Sequence, residues 1–224
     1  MRGARKVFTL AGFPTHIHFT FLILLALFVL PGWGDTVGRH GIQLAWVPIL
    51  AVAIYVHELG HAFTIRKFGY GRSDIMLWGM GGVCVNSARY APKHGMWIAL
   101  AGPIAGALLG VPFIPLLFFD VGTVLHALTW NILMVTIGFS LANMLPIYPL
   151  DGGRVLVYGL RHFSKRRDRH EWAVKTTGLI GLILLVPLGV LALATMEIWL
   201  LFILFFIGQQ TWQAYRHGTQ AVKL

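Results

Sequence analysis

Between Lys93 and Asp151 the chain carries a single charged residue, Asp120. Apolar lengths of that kind exclude a water-soluble globule, because about 20 consecutive apolar residues are what a helix needs to cross a bilayer. Six such stretches can be drawn, at roughly 16–31, 42–65, 94–119, 122–145, 174–194 and 196–214. Composition agrees: of 224 residues, 57% are hydrophobic and only 12% charged, too few charges to solvate a surface. The expected fold class is an all-α polytopic membrane protein with about six transmembrane helices, forming one domain over 1–224. The basic Arg2, Arg5 and Lys6 precede an apolar run without a small-residue cleavage site, so the first span reads as an anchor.

The formal charge of +10 does not point to nucleic acid, because the basic residues sit in short loops between apolar spans. Arg66, Lys67, Arg72, Arg89 and Lys93 follow the second span; Arg154, Arg161, Lys165, Arg166, Arg167 and Arg169 follow the fourth. The intervening loops offer Arg39 against Asp35, then Asp120 alone, then Glu197 alone. Every second segment is therefore positive, which predicts cytoplasmic termini and cytoplasmic even-numbered loops. The lone Cys84 excludes an intramolecular disulfide and a cysteine-built zinc site.

Inside the second span stands His57-Glu58-Leu59-Gly60-His61. Residues four apart share one helical face, so both imidazoles can address one metal ion. Glu58 lies about 100° round the helix from His57, placed to reach a water without being a ligand itself. Two neutral histidines suit zinc, which with an open coordination position brings water to a pKa of about 7. The carboxylate would accept the proton of that water and pass it to a leaving amine. His57 precedes Arg66 by nine positions, which puts the motif about 13 Å inside the cytoplasmic boundary at 1.5 Å per residue.

Three further segments bear on chemistry or packing. Ser73 to Ser87 contains Gly79, Gly81 and Gly82 with Val83 and Val85, which predicts a short β-hairpin or re-entrant loop between helices two and three. Gly81 and Gly82 can offer a strand edge to an unfolded peptide, or the segment can lie as a surface loop in the headgroups. Gly102, Gly106 and Gly110 form a small-residue face that favours close helix packing. The fourth span ends in Asn143-Met-Leu-Pro-Ile-Tyr-Pro-Leu-Asp151-Gly-Gly, where Pro146 and Pro149 interrupt the helix ladder, so extended backbone is expected near Tyr148. A short amphipathic helix is expected to follow from Arg154.

A catalytic zinc commonly takes three protein ligands and one water. On the cytoplasmic side, Asp168 and Glu171 sit in a basic loop, leaving Asp74 and Asp151. Only Asp151 follows a proline-interrupted apolar span, and it is the choice for third ligand. Its competing role is a helix N-cap, and the competing ligands are His16, His18 and His94.

Together these segments resemble the site-2 protease family of intramembrane metalloproteases, peptidase family M50. The resemblance rests on HELGH in an early transmembrane helix, GMGGV, AGP opening the next helix, and NMLPIYPLDGG later. It covers about half of the chain, with a catalytic core at about 42–163 flanked by spans 16–31, 174–194 and 196–214. It implies His57, His61 and Asp151 as ligands of one Zn2+ ion and Glu58 as general base. It also implies that Asn143 contacts substrate and that transmembrane segments of other proteins are cut within the bilayer of a prokaryotic plasma membrane. One departure is Gly106, where many members carry asparagine.

Other functions fit less well. Prenyl-protein zincins take a downstream glutamate as third ligand, and no glutamate occurs between Glu58 and Glu171. A metal transporter needs polar ligands towards both faces, and the outer halves of these spans lack them. A proteolytically silent relative that only binds membrane segments has no use for intact HELGH and LDGG.

Overall fold

Residues 4–30, 40–196 and 198–218 are described by the structure, a computed structural model. Arg2, Asp35, Arg39 and Glu197, which enter the charge reading, lie outside them. The chain divides into two compact units interleaved in sequence: Met1–Ala88 with Ala101–Ala142, and Arg89–Leu100 with Asn143–Leu224.

The first unit holds a four-stranded sheet in the order β1-β2-β3-β4, from Ala4–Leu10, Phe13–His18, Asp74–Trp78 and Gly81–Val85. A two-residue turn at Ala11 and Gly12, with φ of 52° and 85°, closes β1 onto β2, matching the twist that tight hairpins require. The β2–β3 pairing is parallel, with Thr15 opposite Ile75 and Ile17 opposite Leu77. In β3, Ile75 and Leu77 are buried while Trp78 is exposed, the period-2 signature of a sheet with one covered face. The expected hairpin between helices two and three is present as β3–β4.

The sheet covers α2 (His40–Lys67), the longest helix of the described residues. Leu50, Ala53, Ile54, His57, Glu58, His61, Ala62 and Ile65 form its buried stripe. Phe13, Ile75 and Leu77 of the sheet pack there with Phe21 and Leu25 of α1 (Phe19–Val29). After Arg66 and Lys67 the chain turns at Gly69 and Gly71, both at positive φ. Arg66 Nη1 donates to the Ala11 carbonyl at 2.9 Å and its guanidinium lies over the rings of Phe13 and Phe63, clipping the β1–β2 turn to this end of α2.

Small residues set the remaining contacts of this unit, as expected where lipid removes the hydrophobic drive between helices. A methyl on Gly60 would overlap the Ala101 carbonyl and approach Ala105 Cβ to 2.8 Å. The helix α3 (Pro92–Gly110) continues as a 3-10 segment, Val111–Phe118, where Pro112 and Pro115 withhold backbone donors. The next span combines α4 (Thr123–Leu133), a π-helical turn Met134–Gly138 and α5 (Phe139–Asn143).

The second unit contains the first turns of α3, then α6 (Asp151–Phe163), α7 (Arg169–Ala194) and α8 (Ile198–His217). Between α5 and α6 the backbone is a compact turn, not the extended run expected near Tyr148. Ile147 N–H donates to Leu145 O at 2.7 Å and Leu150 N–H to Ile147 O at 2.8 Å, and the Tyr148–Pro149 peptide is cis. Side chains on Gly152 and Gly153 would collide with the carbonyls of Met144 and Ile147, so the glycine pair lets this turn fold onto the start of α6. Thr211 of α8 donates to the Tyr148 carbonyl at 2.5 Å.

Among the described residues, four helical stretches are long and apolar enough to cross a membrane: Gly41–Lys67, Pro92–Phe118, Thr123–Asn143 and Arg169–Ala194. The chain is an integral membrane protein; among the described residues, the first and last of the six expected stretches do not reach that length and apolarity. The first stretch, 16–31, opens as strand β2 and continues as an 11-residue helix, because residues 13–18 are drawn into sheet pairing. The last, α8, is apolar in its first half only; Gln209, Gln210, Gln213 and Arg216 dilute the second.

Candidate metal centre

Because α2 is regular through the motif, His57 and His61 emerge on one face one turn apart. Their Nε2 atoms stand 3.2 Å apart, with the rings nearly perpendicular at 79°. The ligating atoms of His57, Glu58 and His61 all fall within 4.8 Å of one another. All three side chains are about 95% buried, in a stretch that otherwise packs apolar residues. Carboxylates are rarely placed so without a partner or a function.

The space beside the two nitrogens is kept open by one residue. A Cβ on Gly102 would overlap His61 Nε2 and lie 2.8 Å from His57 Nε2. Next along the stripe, a Cβ on Gly106 would sit 2.6 Å from Ser140 Oγ and 3.7 Å from His57 Nδ1. One on Gly110 would overlap Thr136 Oγ1. Thr136 and Ser140 spend their hydroxyl protons on the carbonyls of Ile132 and Thr136, at 2.7 and 2.6 Å. Thr136 lies in the π-helical turn, a feature that recurs at functional sites, and Ser140 follows in α5. Phe139 sets its ring against His57 at 5.5 Å.

Glu58 has its own bare neighbour. A side chain on Gly82 would collide with Glu58 Cγ and stand 2.7 Å from Oε1. The first two residues of β4 thus run past the carboxylate, and Gly81 takes φ 115° in open space. The hairpin is tied at its turn to α1: Gly79 N–H donates to Thr20 Oγ1 at 2.9 Å, and that hydroxyl is 2.7 Å from His18 Nδ1. Sequence reading did not reach Gly102 as the opening at the nitrogens, nor Thr20, Phe139 and Ser140. A glycine every fourth residue predicts helix packing equally well.

Asp151 and Asn143 belong to the second unit. Asp151 occupies the first position of α6, with Leu150 as N-cap, so the capping alternative for Asp151 does not hold. It is buried, with Arg154 Nη1 at 3.8 Å from Oδ1. Burial pushes the Tyr148 phenol above its ordinary value, and the charge of Arg154 opposes that rise. Among the other candidate ligands, His16 pairs with Asp74 at 3.3 Å and His18 caps α1, so each has a structural role in the first unit.

Two imidazole nitrogens aimed at one point, an adjoining carboxylate and a glycine-lined opening make a donor set that fits zinc. No protein-family model matches the chain. Zinc metalloprotease MJ0392 of Methanocaldococcus jannaschii is 27% identical over 210 residues, 92% of this chain; the chain spans 59% of that relative's length. A second relative from the same organism, named "Putative zinc metalloprotease MJ0611", is 30% identical over 151 residues, 57% of this chain and 72% of that relative's length. The solved structure of a site-2 protease from that organism superposes with a TM-score of 0.66 at 24% identity, covering 95% of both chains.

The chain belongs to a family of zinc metalloproteases and has the fold of a site-2 protease.

The structural match extends the likeness from the motifs to the fold of nearly the whole chain. Within this site-2 protease fold, the histidines and Glu58 come from one helix, while Gly82 and Gly102 supply the space around them.

Proposed function

We propose that the chain is an intramembrane zinc endopeptidase that cuts transmembrane segments of other membrane proteins. The observation that carries this reading is the convergence of His57, Glu58 and His61, all buried, within a helix of membrane-crossing length. His57 and His61 hold the ion, with Asp151 as third ligand. Support for Asp151 is its place in the LDGG segment and its burial at the start of α6. When bound, zinc supplies Lewis acidity to a water and to the scissile carbonyl. Glu58 takes the proton of the attacking water as the bond to the carbonyl carbon forms, then gives it to the amide nitrogen as the C–N bond breaks.

Strand β4 gives the substrate a place to lie. A helical substrate hides its peptide bonds in its own ladder, so it must unwind locally, and an extended segment can pair with the backbone at Gly81 and Gly82 beside Glu58. Asn143 contacts the same segment. The whole chain works as one transmembrane domain with cytoplasmic termini, in a prokaryotic plasma membrane. This sidedness rests on the alternation of basic loops.

The test is reconstitution of the purified chain in lipid with a model single-span substrate. The expected result is one cut inside the span, abolished by 1,10-phenanthroline and restored by added zinc. Zinc loading without any cleavage of a panel of spans would favour a proteolytically silent relative.

A further inference from the structure

At one corner, the second unit holds more cations than its carboxylates answer. Asp168 is engaged by Arg166, whose Nε and Nη2 lie 2.9 and 3.2 Å from its two oxygens. Glu171 is engaged by Lys175 at 2.7 Å. Among the described residues, Arg89, Arg161 and Arg169 have no carboxylate partner.

These residues are gathered by packing. Arg161 lies in the last turn of α6, and Arg169 and His170 open α7. Val157 and Leu160 of α6 pack with Ala173 and Val174 of α7, which brings those two helix ends together. The Tyr158 ring occupies the place where a side chain on Gly95 would stand, so the start of α3 is seated on α6, and Arg89 just precedes it. Arg161 lies over that same ring at 5.3 Å. The charges of Arg161 and Arg89 both reach His170, and that of Arg169 reaches Arg161. Arg161 Nε and His170 Nδ1 are buried with no hydrogen-bond partner among the described residues.

Arg89 and Arg169 are exposed, but Arg161 and His170 are half-buried, and there the like charges repel more strongly than in water because the local dielectric is lower. Burial draws the Arg161 guanidinium below its ordinary range; Tyr158 opposes that fall and Arg169 adds to it. An anion at the corner relieves the repulsion. Its depth says which kind. Two membrane-length stretches begin here, at Pro92 and Arg169, so the corner lies at the level of the lipid headgroups, and Phe163 beside it is 79% exposed. Guanidinium groups match phosphate oxygens in a bidentate fashion.

We propose that Arg89, Arg161 and Arg169, with His170, form a binding site for a phosphate group carried by an anionic phospholipid headgroup. The site is separate from the metal-centre residues and does not depend on proteolysis.

The test uses the full chain in a non-ionic detergent, titrated with dioctanoyl phosphatidylglycerol, dioctanoyl phosphatidylcholine and inorganic phosphate, with bound molecules counted by native mass spectrometry. Phosphatidylglycerol should bind saturably and more tightly than phosphatidylcholine. Arg89→Gln and Arg161→Gln should each weaken it by roughly five-fold, the effect of one juxtamembrane cation. Arg167→Gln, in the same basic loop, should leave it unchanged. Arg89 is exposed, so its replacement spares the packing, and it lies far in sequence from that loop. Inorganic phosphate binding as tightly, with the same arginine dependence, would overturn the lipid as its source. A loss with Arg167→Gln equal to that with Arg89→Gln, or none with Arg89→Gln, would overturn the site itself.

Discussion

Gly102 sits where the two histidine nitrogens point, and the absence of its side chain is what leaves room for an ion. Gly102→Ala should therefore weaken zinc binding by roughly ten- to hundred-fold, the range for disturbing the surroundings of a metal ligand. Zinc retained after dialysis against a graded chelator measures it, and Gly60→Ala, which meets the Ala101 carbonyl instead, separates the effect from general helix packing. The same assay ranks the third-ligand candidates. Asp151→Ala should lose zinc, whereas Asp74→Ala, which only frees His16 from its 3.3 Å pairing, should not. The histidine pair and Glu58 were legible in the sequence because helical geometry alone puts positions four apart on one face. Gly102 was not, since a bare glycine declares neither what it faces nor why. Asp151 shows a third case: the sequence favours it as a ligand but leaves an N-cap as the competing role, which falls away because Leu150 is the cap and the helix starts on Asp151.

Among the elements, the β3–β4 hairpin matters most to the chemistry, because Gly82 lies against the Glu58 carboxylate. Its turn is held by one side chain, Thr20, through the Gly79 amide. Losing such a bond costs about 1 kcal/mol, so Thr20→Ala should speed hydrogen exchange at the Gly79 amide by about five-fold and lower the cleavage rate. Thr20→Ser keeps the hydroxyl and should restore both; unchanged exchange in Thr20→Ala would remove the tie. This hairpin could be read from glycines flanked by valines. The β1–β2 hairpin could not, for physical reasons. Its turn uses Ala11 at φ 52°, a conformation that alanine rarely adopts, and Phe13 to His18 run directly into an apolar helix that absorbs them into one span. The four longest apolar stretches were legible from length alone, while at 16–31 and 196–214 strand pairing and glutamines leave the described helices short of that criterion.

On the scale of the whole molecule, a sheet joins the N-terminal strands to a hairpin about 60 residues later through the parallel β2–β3 pair. Such non-local pairing leaves no local periodicity, which is why an all-helical chain with one short hairpin was the natural expectation. The sheet and α1 cover α2 along the face that carries Glu58, so the fold of the first unit serves the helix named by the HELGH motif. The central claim is that this helix holds zinc through its histidines and moves protons through its glutamate. Glu58→Gln tests it most directly, because glutamine keeps the shape and loses the proton acceptor. The purified variant, assayed in lipid for metal content and for cleavage of a model span, should retain about one zinc per chain, as a site with a single open-coordination ion requires, and cut nothing. Cleavage near the unmodified rate would contradict the account.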